Sequence, residues 1–399
     1  MKKRRYISGR SLIFIVLYGL LICQACRTGT RPKAETVTVD DQFRSVFYSD
    51  SGGITGADGL FSFTLPDGSS LFLLGDCFLG VIKDGARDLT TPMLRNAFNL
   101  INKDEIGTRA IFRGTIDAPQ TLMEPVNEPG DSTYRWYWPG HGFVRNDTIY
   151  VFALSLVNDT SVVINIGLPD GADDKTTDMA ETIFSFRISN IDLLSFSYPD
   201  FRLLETHRVE IDYPVNQIDF GNCVMIDEGY VYIYGTKNLP GKAEIYAARV
   251  PFDSRVLYRD WEYSTGDGWE KDISRSVSLD INISVSEQFS IFRYGEKYIL
   301  LTQERAGSDI YTYISDYPDR DFHNRKFIYH TPEPEADTNK RVFTYNALAH
   351  RQYIVNNRLL VTYCVNSLNP WDIFEDVEKY RARFIRVPMK LILREEAMK

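Results

Sequence analysis

Cysteine, histidine and helical periodicity are all scarce in this sequence of 399 residues. It contains 5 Cys and 5 His, with no His-x-x-x-His pair, no cysteine pair at zinc spacing and no calcium loop. No glycine-rich phosphate loop follows a strand and opens a helix. We therefore predict neither a bound metal nor a cofactor.

Basic runs are also missing beyond the first few residues. The net charge is −9 and the isoelectric point is near 5.2, which argues against nucleic acid as a partner. Aromatic residues, in contrast, are abundant, with 24 Tyr, 24 Phe and 5 Trp. Such a composition favours β-sheet and provides flat platforms for sugar rings.

The N-terminus has the pattern of an export signal. The basic start MKKRR precedes an apolar stretch from Ser11 to Ile22, which is too short to span a bilayer comfortably. Ala25 precedes Cys26 as in a bacterial lipobox, although Cys23 stands where Leu is usual. We predict a signal peptide over 1–25, lipidation at Cys26 and a polar tether over 26–40; plain signal cleavage is the alternative. The expected location is the cell envelope, either periplasmic or on the outer-membrane surface, with a lipid anchor in the membrane.

Three cysteines remain beyond the predicted tether. Cys77, Cys223 and Cys364 are odd in number, lie far apart and sit within or beside apolar strand patterns. No disulfide framework is readable from them. We expect small buried residues.

One hairpin pattern recurs five times along the chain. A polar residue opens a short apolar strand, which is followed by a turn of Asp, Asn or Gly and by a Tyr-rich apolar strand. The spacing of about 60 to 80 residues suits a four-stranded blade with long loops. We predict an all-β fold, a five-bladed β-propeller of four-stranded antiparallel blades over 41–399, with one short helix around 372–380. A pair of β-sandwiches is the alternative. The last four predicted turns are Asn146-Asp147, Asp227-Glu228-Gly229, Gly295-Glu296 and Asn356-Asn357.

The five opening residues are all polar. In a propeller, the first residue of each innermost strand lies at one mouth of the central channel, so these side chains should converge on one pocket. A cation in the axial channel is compatible with such a lining and is not predicted. The five residues are Asp58, His141, Asn222, Glu287 and His350.

Asp58 and Asp76 stand at the two ends of the first hairpin, in "SGGITGADGLFSFTLPDGSSLFLLGDCFLG". Antiparallel pairing places both carboxyl groups at the same mouth, and neighbouring strands are about 5 Å apart. Glycoside hydrolysis requires two such carboxyl groups, one protonated and one ionised. The rival interpretation is a pair of turn residues that bind their own backbone, as expected for Asp67 in the Pro-Asp-Gly turn.

The same stretch resembles the opening motif of a five-bladed propeller family, formerly a domain of unknown function, that includes bacterial endo-D-arabinofuranases. "LRNAF", "FGNCVMIDEGYVYIYG" and "YNALAHRQYIVNNRLLVTYCVNS" resemble later segments of that family. The resemblance implies a glycosidase in which Asp58 and Asp76 carry out the chemistry. Cys77, Phe72 and Arg351 depart from the family pattern, so the resemblance does not fix D-arabinan as the substrate.

Further candidates surround this pair. Glu287 is a third acid at the predicted mouth, either a proton donor or a substrate ligand. Trp138 is a candidate sugar platform or an inter-blade packing residue, and the two histidines are candidate hydroxyl ligands or structural residues. The predicted substrate-binding residues are Arg95, Asn96, Trp138, His141, Asn222, Tyr345, Asn346 and His350.

Three functions are compatible with these features. The first is a glycoside hydrolase that cleaves a furanose-containing, arabinan-like polysaccharide through the aspartate pair. The second is a noncatalytic glycan-binding lipoprotein that uses the same pocket. The third is a protein-interaction scaffold, which would not need acids at the mouth of the channel. The sequence does not distinguish a retaining from an inverting mechanism.

Overall fold

A computed structural model describes residues 36–104, 106–127, 131–159 and 185–394. The predicted signal peptide and the lipidation site Cys26 lie outside the described residues. From Val37 onward the chain forms one unit. No helix among the described residues is long and apolar enough to cross a membrane.

Strands dominate this unit, which confirms the all-β prediction. Five sheets are antiparallel meanders, in which hydrogen-bonded neighbours follow one another along the chain, apart from an excursion in the first sheet and an N-terminal strand in the fifth. The first sheet consists of Phe61–Thr64, Ser70–Leu74, Ala97–Ile101 and Thr108–Ile111. The second consists of Arg135–Arg145, Thr148–Asn158, Phe186–Ser197 and Leu203–Arg208. The third consists of Asp219–Asp227, Tyr230–Leu239, Lys242–Pro251, Glu262–Ser264 and Trp269–Glu270.

The last two meanders complete the series. The fourth sheet consists of Ser290–Tyr294, Lys297–Gln303, Asp309–Ser315 and His323–His330. The fifth consists of Val342–Val355, Arg358–Ser367, Arg383–Pro388 and, from the other end of the chain, Thr38–Val39. Smaller sheets contain Ser51–Ala57, Cys77–Lys83, Ala86–Arg87 and Met93–Leu94, and separately Arg113–Thr115 and Ala118–Gln120.

Helices are few and short among the described residues. The segment predicted as a helix around 372–380 forms one α-helical and one 3-10 turn, which confirms the position but not a continuous helix. The α-helices are Asp41–Phe47, Tyr213–Asn216, Glu333–Ala336, Asp372–Glu375 and Met389–Leu393, and the 3-10 helices are Ile273–Arg275 and Val377–Tyr380.

The predicted turns lie where the hairpins reverse. Asn356 and Asn357 have φ angles of 50° and 57° and join two paired strands, as a two-residue turn with positive φ requires. Asn146, Glu228 and Gly295 also have positive φ, at 54°, 47° and 59°. Asn and Gly tolerate this conformation better than most residues, so the turn chemistry fixes the ends of these hairpins.

The first and last strands of the described residues pair in the fifth sheet. Thr38 pairs with Arg386, and Asp40 accepts a 2.6 Å hydrogen bond from Nε of Arg386. Asp40 also caps the helix Asp41–Phe47 by accepting from the amide of Phe43 at 2.9 Å. Thr38 and Val39, which lie in the predicted tether over 26–40, thus form a strand of this sheet.

Apolar cores lie between neighbouring sheets in every pairing of the series. Separate clusters join the first sheet to the second, the second to the third, the third to the fourth and the fourth to the fifth. A further cluster joins the fifth sheet to the first and includes Phe43 and Phe47 of the N-terminal helix. Cys77, Cys223 and Cys364 are free and buried, as expected.

The first strands of the five sheets contact one another in a cycle. Their polar links run from Ser62 to His141, from His141 to Val224, from Cys223 to Ile291, from Ser290 to Ala349 and from His350 back to Ser62. A second contact at each of three junctions joins Tyr345 to Asp58, Ser286 to Asn346 and Gly140 to Gly221. At each of these three junctions, both residues of the second contact come earlier in the chain than the residues of the first link at the same junction. These strands therefore run in the same direction, and their starting ends meet at one mouth.

Candidate active site

The two aspartates sit at a break in a long β-ribbon. Before the break, Ser51–Ala57 pairs with Cys77–Lys83; after it, Phe61–Thr64 pairs with Ser70–Leu74. At the break, the amide of Asp58 donates to the carbonyl of Asp76 at 3.3 Å, and the amide of Gly75 donates to the carbonyl of Asp58 at 2.9 Å. The predicted side-by-side placement of the two aspartates is therefore present, in a ribbon longer than the predicted hairpin.

Two glycines allow the strands to approach at this break. A Cβ atom on Gly75 would lie 2.4 Å from Oδ1 of Asp58, and a Cβ on Gly59 would lie 2.8 Å from the amide nitrogen of Gly75. Gly59 also has a φ of +87°, which disfavours other residues. The local sequence Asp-Gly and Gly-Asp is thus what brings the two acids together.

Asp58 is held by hydroxyl groups and has no basic partner among the described residues. Tyr345 donates a 2.8 Å hydrogen bond to its Oδ2, and the Tyr380 hydroxyl, which donates to the carbonyl of Asp76 at 3.1 Å, lies beside it. Burial and the negative charge of Asp76 raise the pKa of Asp58 to about 7, although both tyrosines oppose the shift. Asp58 is therefore largely protonated at mildly acidic pH.

Asp76 has a cationic partner. Nη1 of Arg95 lies 3.2 Å from its Oδ2, and Nε1 of Trp138 donates to its Oδ1 at 3.2 Å. Burial raises the pKa of Asp76, while the Arg95 charge and the hydrogen bonds from Trp138 and Arg95 oppose the shift. The guanidinium stabilises the ionised form of Asp76, so the two neighbouring carboxyl groups have contrasting partners, a cation at Asp76 and hydroxyl groups at Asp58.

Arg95 connects this carboxylate to an exposed aromatic surface. Its guanidinium lies 4.9 Å from the ring centroid of Trp136, and Tyr134 stacks on Trp136 with centroids 5.6 Å apart. Tyr134 is 58% exposed. A flat aromatic face is therefore available close to Asp76.

Three of the predicted site residues contact the aspartates: Arg95, Trp138 and Tyr345. Glu287 lies near the start of the fourth sheet's first strand, where its Oε1 forms a 2.8 Å ion pair with Arg305. Asn346 joins the fourth and fifth sheets by accepting from Oγ of Ser286 at 2.7 Å.

Four other predicted ligands form hydrogen bonds within the protein, and three of them are buried: Asn96, Asn222 and His350 are buried, whereas His141 is partly buried. His350 is fully buried between Ser62 and Thr362, with contacts of 2.6 and 2.9 Å. His141 accepts from the amide of Val224 at 2.9 Å, so its other nitrogen donates to the carbonyl of Ser62 at 3.1 Å. Both histidines link neighbouring sheets.

The two remaining interior residues are amides. Asn222 is 2% exposed and donates to Oγ1 of Thr236 at 2.9 Å. Asn96 is completely buried and bonds the backbone of Met123 and Tyr137. The amide groups of both residues thus form hydrogen bonds with the protein's own backbone or side chains.

The contacts between first strands show which residues occupy the mouth. The level of His141 and His350 lies deeper in the ring of strands, and the starting ends lie a few residues earlier. We identify Asp58, Trp138, Asp219, Glu287 and Tyr345 at the starting ends. Asp219, Tyr380 and Tyr134 were missed by the sequence interpretation. Asp219 shows the same signal as Asp58, an acid at the start of an apolar strand. It follows the short helix Tyr213–Asn216 by three residues.

No group of three or more His, Cys, Asp or Glu side chains in the described part of the chain is arranged to hold a metal ion.

These observations define the class of the protein. It is an all-β protein of consecutive antiparallel sheets, with a buried aspartate pair at the mouth formed by their first strands. Residues 40–170 and 172–389 match the family described as a domain of unknown function (DUF5005), and the chain belongs to that family. No curated protein matches the sequence. The closer relationship to endo-D-arabinofuranases stays a prediction.

This chain shares its fold with one solved structure and has a weaker likeness to two others. A candidate hydrolase from Bacteroides ovatus ATCC 8483 has a TM-score of 0.70 and 17% identity, with 92% of this chain and 96% of that chain covered. A thermostable family-43 glycoside hydrolase has a TM-score of 0.44 and 12% identity, with 86% and 91% covered. An alpha-L-arabinofuranosidase from Podospora anserina has a TM-score of 0.43 and 11% identity, with 85% and 92% covered. The two weaker likenesses carry no further conclusion.

Proposed function

We propose that this protein is a glycoside hydrolase in which Asp58 is the general acid and Asp76 is the base or nucleophile. The observation that carries the proposal is the contrast between two adjacent carboxyl groups. Asp76 faces Arg95 at 3.2 Å, whereas Asp58 faces tyrosine hydroxyls and has no cation. Environments that separate the pKa values of two neighbouring acids identify acid and base in glycosidases.

The chemistry follows from these protonation states. Asp58 donates its proton to the glycosidic oxygen as the bond from that oxygen to the anomeric carbon breaks. Asp76 either attacks the anomeric carbon or takes a proton from an attacking water. In both routes one water molecule is consumed, and the sugar gains a hydroxyl group at the anomeric carbon.

The proposed architecture is a five-bladed propeller with the five meander sheets as blades. The cyclic contacts between first strands and the five inter-sheet cores support this arrangement. In such a ring the site lies at the mouth of the axis, where residues from several blades reach one ligand.

A furanose-containing, arabinan-like polysaccharide is the proposed substrate, on the resemblance of the first-hairpin motif. The departures from that motif do not touch the aspartates by hydrogen bonds. Cys77 and Phe72 are fully buried in the core, and Arg351 is exposed, further along its strand than His350. They therefore give no reason to expect a different sugar.

We further propose that the enzyme is anchored by a lipid on Cys26 and works in the cell envelope. The support is the lipobox-like sequence before Cys26. Metabolic labelling with a fatty-acid analogue should mark the wild-type chain and not Cys26→Ala; equal labelling of both would exclude this site.

Reducing-end release from arabinans, galactans and bacterial envelope glycans tests the activity. Asp58→Asn and Asp76→Asn should each lower turnover by roughly 10²–10⁴-fold, the usual range for acid–base catalysis. Asp67→Asn is the matched control, because Asp67 lies in the turn of the same hairpin and its carboxyl group accepts hydrogen bonds from the amide and hydroxyl of Ser69, away from the aspartate pair. Full turnover in both site variants would overturn the proposal, and binding without release by the wild type would favour a glycan-binding protein.

A further inference from the structure

Asp219 begins the first strand of the third sheet. A Cβ on Gly140 would lie 2.6 Å from the carbonyl of Gly221, so Asp219 is level with Trp138, two residues before Gly140. Trp138 in turn binds Asp76. In the cyclic order of sheets the third is not adjacent to the first, so Asp219 reaches the mouth from a different side than the aspartate pair.

The environment of Asp219 differs from that of a structural acid. It is 5% exposed, and its Oδ1 accepts a short hydrogen bond from the Tyr213 hydroxyl. Its Oδ2 has no hydrogen-bond partner among the described residues. This oxygen is not enclosed, so the small exposed part of Asp219 leaves it open to a ligand or to water.

The neighbouring charges affect its protonation. Burial and the charge of Glu287 raise the pKa of Asp219 to about 7, against the Tyr213 hydrogen bond and the Arg305 charge. Glu287 is itself ion-paired with Arg305 at 2.8 Å. Below neutral pH Asp219 therefore carries a proton that it is able to donate to a ligand.

We propose that Asp219 is a substrate-binding residue, whose free carboxyl oxygen hydrogen-bonds a sugar hydroxyl on the far side of the mouth from Asp58 and Asp76. This inference rests on the proposed function. It assigns to the third sheet a role in binding the polysaccharide, while Asp58 and Asp76 carry out the chemistry. From the side of the fourth sheet, the charge of Glu287 raises the pKa of Asp219 and the charge of Arg305 lowers it.

Asp219→Ala and Asp219→Asn test the role. In an Asp58→Asn background, which removes turnover, Asp219→Ala should weaken equilibrium binding of arabino-oligosaccharides about tenfold, which corresponds to about 1.4 kcal/mol. In the active enzyme it should raise KM by a similar factor with kcat little changed. Asp219→Asn should recover most of the affinity, because an amide also offers a donor and an acceptor.

Asp192→Ala is the matched control. Asp192 is a buried acid that accepts from the Tyr137 hydroxyl at 2.5 Å and from Arg208 at 2.6 Å, but it lies in the third strand of its sheet. It should leave affinity unchanged in molecules shown to be folded by circular dichroism. Folded Asp219→Ala with unchanged affinity and KM overturns the inference, and so does a loss confined to kcat.

The result also separates this inference from the proposed function. A wild-type protein that binds the oligosaccharides without cleaving them, and loses that binding in Asp219→Ala, refutes hydrolysis and supports the Asp219 site. A wild-type protein that binds none of the arabino-oligosaccharides contradicts both the substrate assignment and the Asp219 role.

Discussion

The hydroxyl of Tyr345, in the first strand of the fifth sheet, donates a 2.8 Å hydrogen bond to Oδ2 of Asp58. This bond connects the fifth sheet to the carboxyl group that we assign as the proton donor. It stabilises the ionised form of that group, so it lowers the pH at which the acid loses its proton. The proposed site therefore depends on the meeting of the first and fifth sheets.

Tyr345→Phe should shift the alkaline limb of the pH–rate profile to higher pH. The Tyr345 hydrogen bond lowers the pKa of Asp58, so its removal raises that pKa and keeps the acid protonated to higher pH. The pH dependence of kcat/KM is the measurement. Tyr234→Phe is the control, because it removes a buried hydroxyl that donates to Pro318 in another part of the fold. An alkaline limb that stays in place, or moves to lower pH, would contradict this role.

Arg95→Met should shift the acidic limb to higher pH. The Arg95 charge lowers the pKa of Asp76, so without it Asp76 gains a proton at higher pH and ceases to act as base or nucleophile. Arg95→Lys should restore part of the shift because it keeps the charge, but it loses the planar geometry of the guanidinium. If both variants keep the wild-type acidic limb, Arg95 does not control Asp76.

Gly75→Ala should reduce kcat strongly. The added Cβ would lie 2.4 Å from Oδ1 of Asp58, so the carboxyl group has to move away from Asp76. Gly268→Ala is the control, because its Cβ would meet nothing closer than 3.7 Å. Turnover is compared at equal folded fraction. Wild-type turnover in folded Gly75→Ala would show that the close approach is unimportant.

His350→Gln should make stability less sensitive to acid. Burial lowers the pKa of His350 to about 3 and that of His141 to about 4, below the unfolded value near 6.5. Neutral imidazoles in the fold contribute stability that is present above pH 6.5 and is lost as the pH falls toward these folded values, by roughly 3 kcal/mol for each group down to pH 4. The free energy of unfolding from urea titrations between pH 7 and pH 4 measures the slope. His323→Gln, at an exposed position, should keep the wild-type slope; an equally steep slope in His350→Gln would contradict the prediction.

Local chemistry made much of the fold predictable. The Asn356-Asn357 turn follows from residues that accept positive φ, and the placement of Asp58 opposite Asp76 follows from one hairpin and its glycines. These features depend on residues close in sequence.

Features that depend on register between sheets were not predictable. His350 lies nine residues into the strand Val342–Val355, so it is a buried link and not an opening residue. A register shift between Pro139 and Gly142 likewise separates Trp138, at the mouth, from His141, in the interior. The pairing of Thr38 with Arg386 joins residues that are far apart in the sequence, and no local pattern indicates it.

Carbon-13 NMR titration of the Asp58 carboxyl group tests the central claim most directly, because it requires no knowledge of the substrate. We predict a midpoint near 7 for Asp58 in the wild type and a lower midpoint in Asp76→Asn, where the neighbouring negative charge is absent. A midpoint near the ordinary value of about 4, unchanged in Asp76→Asn, would contradict the assignment of Asp58 as the proton donor.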